Sequence, residues 1–487
     1  MIPLTLAEVA GAVGGVVHSC DGTGVVSGSV EFDSRRIGPG GLFVALPGEQ
    51  VDGHDFAAAA VAAGAAGVLA GRPVGVPAVL TPPAHDARSA SYALATDTDG
   101  AGAAVLAALA RLARAVVDTL SQTGLHVVGL TGSSGKTSTK DMVAALLAPL
   151  GPTIAPPGSF NNEIGHPWTA LRADTTTRHL VLELSARGPG QIAALCQVAP
   201  PSIGVVLNVG SAHLGEFGSR DAVAAAKGEL VEALPVAGIA VLNADDVAVA
   251  AMDRRTAARV VRFGRSAVAQ VRAADVVLND RGCASFQLVT PAGEAPVQLA
   301  VPGEHQVSNA LAAVAVALEL GATPVLAAEV LAGYRPASRW RLEVTDRPDG
   351  VTVVNDAYNA NPESVAAALR TLVAMAGSQR RSWAVLGPLA ELGEAETEAY
   401  REIGTLAVHL GVDRLVVVGE QAQPMCQAAA GSDPMLVPDV PAALEFLRGE
   451  LAAGDVVLIK ASRAVGLERV ADGLLSSLAC SGSGSSP

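Results

Sequence analysis

The sequence predicts an α/β protein of three domains, each built on its own sheet, and three observations lead there. The chain has 487 residues, too many for one core at roughly 100–200 residues per domain. Short apolar runs alternate with Ala-rich helical stretches along most of its length, a rhythm that yields doubly wound, mostly parallel sheets. Those runs end in Gly-containing or polar loops, and open α/β sheets bind ligands beyond the carboxyl ends of their strands.

Residues 1–100 read as a small N-terminal α/β unit. The runs Gly41 to Leu46 and Val68 to Ala70 sit among Ala-rich stretches and Gly/Pro turns. A helix from about Ala101 to Leu120 leads into a central domain, 101–335. Strands are predicted there at His126–Leu130, His179–Glu183, Ile203–Leu207 and Ile239–Leu242. From about Val271 to Val301, apolar and polar residues alternate around the turn Asn279 to Gly282, which predicts antiparallel hairpins added to the sheet. The third domain, 336–480, repeats the strand–helix rhythm at Val351–Asn355, Ser382–Leu386, Arg414–Val418 and Val456–Ile459. Residues 481–487 read as a flexible Ser/Gly tail.

Half the residues are apolar but only 3% are aromatic, so the interior must be built from small, closely packed side chains. A net charge of −14 argues against a nucleic-acid surface, which needs clustered cations. Any phosphate must therefore be met by a local site. The five cysteines are scattered and form no C-x-x-C pair, which predicts neither a disulfide framework nor a structural zinc and fits a reducing compartment. The N-terminus lacks the pattern of a secretory signal. The most apolar run, Phe56 to Ala70, is shorter than the roughly 20 residues a spanning helix needs. We expect a cytoplasmic monomer with no nucleic-acid partner and no membrane insertion.

Of 33 cationic residues only four are lysines: Lys136, Lys140, Lys227 and Lys460. Where Arg is used almost everywhere, a remaining Lys marks work that needs a compact point charge or an amine able to lose its proton.

The strand at 126–130 runs into Thr131-Gly132-Ser133-Ser134-Gly135-Lys136-Thr137-Ser138, followed by a helical pattern. This is the recipe for a nucleotide phosphate cradle. Glycines let backbone N–H groups turn inward, and the helix N-terminus adds partial positive charge. Lys136 reaches the distal phosphates, and the Thr137 hydroxyl can ligate Mg²⁺. The general pattern wants a glycine where Leu130 stands, so a shorter-loop variant fits better than a motor or a GTPase.

Three more residues lie at or beyond strand ends in the same domain. Glu183 closes an apolar run, where a carboxylate is costly unless paired or metal-bound. His213 follows the strand at 203–207, and Lys227 lies on a helix starting near Ser219. With a phosphate loop they suggest a Mg²⁺ site. An ammonium repels a metal, so Lys227 makes sense in this set if it is carbamylated, CO₂ adding to the neutral amine to give a carboxylate.

With these residues in hand, the chain resembles the Mur ligase family over nearly its whole length. The matching blocks run in order: Asp33-Ser34-Arg35, Pro39 to Phe43, Asp52-Gly53-His54, Thr131 to Lys140, Asn161 to Gly165 with Pro167, Glu183, Asn208 to His213, Phe217 to Ser219, Lys227, Gly303 to His305, Asn309 to Leu311, Asn355 to Pro362, Leu386-Gly387, Glu391 to Gly393 and Lys460 to Arg463. The tract Asp356 to Pro362 resembles the dipeptide-adding branch. One departure is Pro388, where the family usually carries an acidic residue.

The resemblance implies a UDP-substrate-binding first domain, with Ser34, Arg35, Asn161 and Asn162 on that substrate. It implies an ATP-binding middle domain, with Lys136 on phosphates, Thr137 on one Mg²⁺, His213 and carbamylated Lys227 on a second, and Glu183 also serving the metals. His305 and Asn309 would lie near the adenine. A Rossmann-like C-terminal domain would bring Arg341 and Asp356 to phosphate and ribose, and Asn359, Asn361, Ser462 and Arg463 to the dipeptide. The implied reaction joins D-alanyl-D-alanine to UDP-N-acetylmuramoyl-tripeptide at the expense of ATP, in peptidoglycan precursor synthesis. The alternatives are another amino-acid-adding Mur ligase, a folylpolyglutamate synthetase-like ligase, a P-loop kinase or motor, and a non-catalytic nucleotide-binding protein. The last predicts loss of Lys136, Glu183, His213 or Lys227, and all four are present.

Overall fold

A computed structural model describes residues 1–48, 51–82, 94, 97, 99–210, 214–390 and 392–476, the side chains of Leu214 and Glu394 excepted. The tail at 481–487 lies outside the described residues.

The N-terminal region holds a five-stranded sheet. Its order is Val16–His18, Ala78–Leu80, Gly67–Ala70, Leu42–Val44 and Val30–Glu31, parallel except for the first pair. The Ala-rich run after Phe56 divides into a short helix, Ala57–Ala62, and the strand Gly67–Ala70. Among the described residues no helix is long and apolar enough to cross a membrane. The helix Ala101–Ser121 buries Val105, Leu109, Leu112 and Val116 in one apolar cluster with Leu6, Val9 and Val13 on one side and Val127, Leu180 and Leu182 on the other. It therefore couples the first sheet to the second.

The second sheet has nine strands. Thr153–Ile154, His179–Glu183, His126–Thr131, Ile203–Val206, Ile239–Asn243, Arg259–Gly264 and Val271–Leu278 lie side by side and parallel. Cys283–Thr290 and Gly293–Pro302 then add antiparallel at the edge, as the alternating pattern predicts. The helix His305–Glu319 buries every residue from Asn309 to Ala317, most of them Ala or Val, and so presents no solvent face there. Small side chains allow that close approach.

The third sheet has six strands, in the order Glu343–Asp346, Thr352–Asn355, Val456–Lys460, Ser382–Leu386, Arg414–Val418 and Pro434–Val437. All pairs are parallel except the first. Sequence reading misses its two edge strands. Glu343–Asp346 is polar and largely exposed, and Pro434–Val437 opens on a proline; neither carries a buried apolar run. Arg259–Gly264 is an interior strand with Val261 and Phe263 buried, and it escapes because Arg259 and Arg262 break up its apolar run.

Lys140 ties the regions together. It is fully buried on the helix Lys136–Leu147, pairs with Asp141 at 2.6 Å, and donates to Pro156 O at 2.7 Å, Gly158 O at 3.1 Å and the Ser338 hydroxyl at 3.1 Å. Asp141 in turn accepts from Ser338 N at 2.9 Å. Replacing Lys140 by Met leaves Asp141 buried without its cation, which costs about 3–5 kcal/mol. The expected result is a clearly lowered urea midpoint for Lys140→Met; a midpoint equal to that of the unmodified chain would refute this role.

Candidate functional site

The phosphate loop forms where the strand His126–Thr131 leaves the sheet and the helix Lys136–Leu147 begins. Two glycines shape it. Gly135 has φ +79°, and a Cβ there would lie 2.5 Å from Asn309 Oδ1. A Cβ on Gly132 would lie 2.9 Å from that of Leu207. Both positions exclude larger residues on geometry and space. Lys136 Nζ folds back on Gly132 O at 2.7 Å. The backbone N–H groups of Gly135, Thr137 and Ser138 make no hydrogen bond among the described residues, leaving them turned to the loop's open side at a helix N-terminus.

Glu183 closes the neighbouring strand, only 1% exposed. Its carboxylate accepts from the Thr137 hydroxyl at 3.0 Å, the Ser159 hydroxyl at 3.1 Å and Asn161 Nδ2 at 2.7 Å. Ser159 also meets Thr137 Oγ1 at 2.8 Å, and Ser185 donates to Asn161 Oδ1 at 2.9 Å. These residues wall a polar cleft of about 320 Å³ with Ser133, Ser134, Gly135, Lys136 and Ser138. Tyr358, Asn359 and Asn361 close it from the third domain, and Arg341 reaches across with Nη2 donating to Thr137 Oγ1 at 3.0 Å. The Arg341 guanidinium lies 4.1 Å from the centre of the Tyr358 ring.

A second cleft, about 170 Å³, adjoins the loop and shares Ser134, Gly135, Ser138 and Arg341 with the first. His305, Asn309, Asp356 and Lys460 line it. Burial holds the His305 imidazole down at about 4, so it is neutral near pH 7. Asn309 Nδ2 donates to Gln306 Oε1 at 2.9 Å. Lys460 is buried and pairs with Asp356 Oδ2 at 2.7 Å while donating to Asn359 O at 2.8 Å; burial lowers its pKa and Asp356 works against that. Asp356 Oδ1 accepts from Leu342 N at 3.1 Å.

Lys227 lies on the helix Arg220–Glu232, whose N-cap is Ser219, and is 4% exposed. It has no ion pair among the described residues. Burial first, and the charge of Lys136 second, pull its pKa down to about 7. His213 and Glu391 lie outside the described residues. Among the described residues no three His, Cys, Asp or Glu side chains gather as a metal-holding group.

Several sequence-predicted residues stand apart from both clefts. Asn162 Oδ1 accepts from Gly165 N at 2.9 Å at the start of the helix Gly165–Ala170. Ser34 sits in the turn after Asp33, and Arg35 is exposed and bonded in a fork to Asp33 through contacts of 2.9 and 2.8 Å. Ser462 N donates to Pro388 O at 2.9 Å, which sets the Pro388 loop beside the end of the strand Val456–Lys460. Arg463 pairs with Glu468 at 2.8 Å and lies 4.4 Å from the Trp340 ring centre. His54 is an internal strut: Nδ1 bonds Asp52 at 2.6 Å and Nε2 accepts from Gly71 N at 3.0 Å. Sequence reasoning overlooks Ser159, which no motif marks, and gives no role to Tyr358, although it lies in the tract Asp356 to Pro362. A larger cavity of about 880 Å³ lies between the helices Ala101–Ser121 and Gln191–Val198. Its walls are mainly apolar and include no phosphate-loop residue, so the chemistry belongs to the polar clefts.

Comparison with known proteins agrees with this architecture. Three family profiles match in order: "Mur ligase family, catalytic domain" over residues 28–115, "Mur ligase middle domain" over 130–317, and "Mur ligase, glutamate ligase domain" over 340–463. The UDP-N-acetylmuramoyl-tripeptide–D-alanyl-D-alanine ligase of Mycobacterium tuberculosis H37Rv is 55% identical, with 99% of each chain covered. The crystal structure of MurF from Acinetobacter baumannii superposes with a TM-score of 0.83 at 29% identity, over 97% of this chain and 99% of that one. MurF from Thermotoga maritima, solved in complex with ADP, gives a TM-score of 0.77 at 30% identity, covering 94% and 99%. With three profiles spanning most of its length and a relative matched from end to end, the chain belongs to the Mur ligase family.

Proposed function

We propose that this Mur ligase joins D-alanyl-D-alanine to UDP-N-acetylmuramoyl-tripeptide with ATP as the energy source, releasing ADP and phosphate in peptidoglycan precursor synthesis. The observation that carries this reading is the cleft in which the phosphate loop faces Glu183 and the third-domain residues Arg341 and Tyr358 to Asn361. The relatives' shared activity supplies the two substrates.

A carboxylate is a poor electrophile. The tripeptide's terminal carboxylate attacks the γ-phosphorus of ATP, the bond to ADP breaks, and an acyl phosphate forms. The dipeptide's amine then attacks the acyl carbon, a proton leaves, and the amide forms as phosphate departs. The N–H groups of Gly135, Thr137 and Ser138, with Lys136, cradle the phosphates, and Arg341 neutralises charge on the transferred group. His305 and Asn309 line the adenine side, and Asp356 the ribose side. Asn359 and Asn361, with Ser462 and Arg463, are assigned to the dipeptide, and Ser34, Arg35, Asn161 and Asn162 to the UDP-linked substrate. Closure of the third domain over the cleft keeps water from the acyl phosphate.

The oxygens of Thr137 and Glu183, 3.0 Å apart beside the loop, are the hard donors Mg²⁺ requires. Lys227 as a carbamate, with His213, would hold a second Mg²⁺. Bound there, the ions would supply positive charge to the phosphate oxygens. A buried lysine with a pKa of about 7 is half neutral at that pH, and only the neutral amine takes up CO₂.

The deciding experiment is phosphate release from MgATP with UDP-N-acetylmuramoyl-tripeptide and D-alanyl-D-alanine. Release that needs both, with the matching product mass, is the expected result. Release with a single amino acid on a shorter UDP-peptide would move the chain to another branch of the family.

Lys227→Ala should lower kcat by at least about a hundredfold, with partial recovery in bicarbonate or a short carboxylic acid; full activity of Lys227→Arg would sink the carbamate. The sign of the pH effect follows from the lowered pKa. At fixed dissolved CO₂, activity should rise with pH through about 7 as the amine deprotonates. That limb should vanish in the acid-rescued Lys227→Ala protein, and an unchanged limb would assign it to another group.

A further inference from the structure

Parallel pairing between His126–Thr131 and Ile203–Val206 ends at Thr131 and Val206. Beyond that point one chain turns into the phosphate loop and the other continues toward His213, so nothing in the sheet itself obliges the two to stay in register. Yet they remain stitched. Leu207 N donates to Thr131 O at 3.0 Å, Ser133 N to Asn208 O at 3.1 Å, and Gly210 N to the Ser133 hydroxyl at 2.8 Å. At the centre is the Asn208 side chain. Its Oδ1 accepts from Ser134 N at 2.9 Å, and its Nδ2 donates to Ser134 O at 3.1 Å. One amide thus takes both polar groups of one loop residue, as a neighbouring strand would.

We infer that Asn208 is a positioning residue for the nucleotide, its amide holding the phosphate loop in a phosphate-ready shape before ATP arrives. The inference rests on reading this loop as the ATP site.

Two consequences of the pairing carry the argument. Ser134 lines both clefts, and its carbonyl oxygen, left free, would set a negative dipole end inside an anion cradle. The Nδ2 donor covers it. The same bond takes up a carbonyl that Ser138 N would otherwise donate to in helical i to i−4 fashion. Among the described residues Ser138 N instead makes no hydrogen bond, like the N–H groups of Gly135 and Thr137, as an anion cradle needs. Asn suits this task because it offers one donor and one acceptor in a planar group. Ala offers neither, and ionised Asp offers only acceptors and brings a negative charge to the cradle. Protonated Asp, in contrast, has the same shape as Asn and again one donor and one acceptor.

The test is MgATP affinity of the full chain, by calorimetry, for the unmodified protein, Asn208→Ala, Asn208→Asp and Lys136→Ala. Asn208→Ala should bind at least about tenfold more weakly, since two hydrogen bonds at the loop are lost. KM for the UDP-tripeptide and for the dipeptide should stay within about twofold. Asn208→Asp should bind more weakly still near pH 8, then recover relative to the unmodified protein as pH falls toward about 5.5 and the carboxyl protonates. A merely structural defect would not show that pH-dependent recovery, so it decides the matter even if Asn208→Ala folds poorly. Affinities of both Asn208 variants within about twofold of the unmodified protein at every pH, with Lys136→Ala clearly weakened, would overturn the inference and leave the nucleotide reading standing. Unchanged affinity in Lys136→Ala would overturn the nucleotide reading, and this inference with it.

Discussion

The site depends on satisfying a buried carboxylate next to a loop built for anions. Glu183 is almost fully enclosed at the end of the strand next to the sheet's edge. A carboxylate in that place is tolerated only with donors on its lone pairs. Three side chains supply them from two parts of the fold: Thr137 from the phosphate helix, and Ser159 and Asn161 from the loop after the edge strand Thr153–Ile154. Satisfying one acid therefore fixes the relative positions of three segments. The nearby cations obey the same economy. Lys136 rests on a backbone carbonyl rather than on Glu183, and its charge is one of the two causes that weaken the proton on Lys227.

The four lysines make sense in this light. Lys140 and Lys460 are buried points of charge that each gather several acceptors in a small space, which a planar guanidinium does less well. Lys140 fixes the phosphate helix to Ser338, and Lys460 fixes the third-domain strand end to Asp356 and Asn359. Between those anchors runs the segment Arg339 to Leu342. Trp340 and Leu342 both have positive φ, +59° and +50°, an outlying conformation for bulky residues that persists only where the surroundings impose it. The surroundings are visible: Asp356 holds Leu342 N, and Trp340 O accepts from Tyr358 N at 3.3 Å. The two left-handed residues flank Arg341 and aim its side chain at the phosphate helix.

Much of this was legible in the sequence because the signals are local. Apolar strands ending in Gly or polar residues gave the sheets, and Gly-Lys-Thr after a strand gave the loop. Alternation between 271 and 301 gave the hairpins, and the lysine count pointed at buried amines. What could not be read was pairing across long separations. Asn208 meets Ser134 across 74 positions, and Arg341 meets Thr137 across 204. No periodicity encodes such contacts. Polar edge strands such as Glu343–Asp346 were illegible for another reason: an edge that buries little needs no apolar pattern. Asn161 and Asn162 are adjacent and identical in type, yet one bonds Glu183 and the other the first turn of a helix. Backbone direction alone separates them.

Thr137 shows how the closed arrangement must yield to a ligand. A hydroxyl has one proton and two acceptor sites. Here the proton goes to Glu183, Arg341 donates to the oxygen, and Ser159, whose own proton can go to Glu183 or to Thr137, lies 2.8 Å away. The oxygen is close to saturated. Anything new that binds it has to take the place of Arg341 or Ser159, and Arg341 is the easier to move. It belongs to the other domain, its buried Nε has no hydrogen-bond partner among the described residues, and the Tyr358 ring supports its guanidinium from one face. An arginine released from Thr137 at the wall shared by both clefts has the phosphate cradle directly before it. On the proposed nucleotide reading, filling that cradle would exchange a neutral acceptor for an anionic one, the stronger partner for a guanidinium, and would draw the third domain onto the ligand.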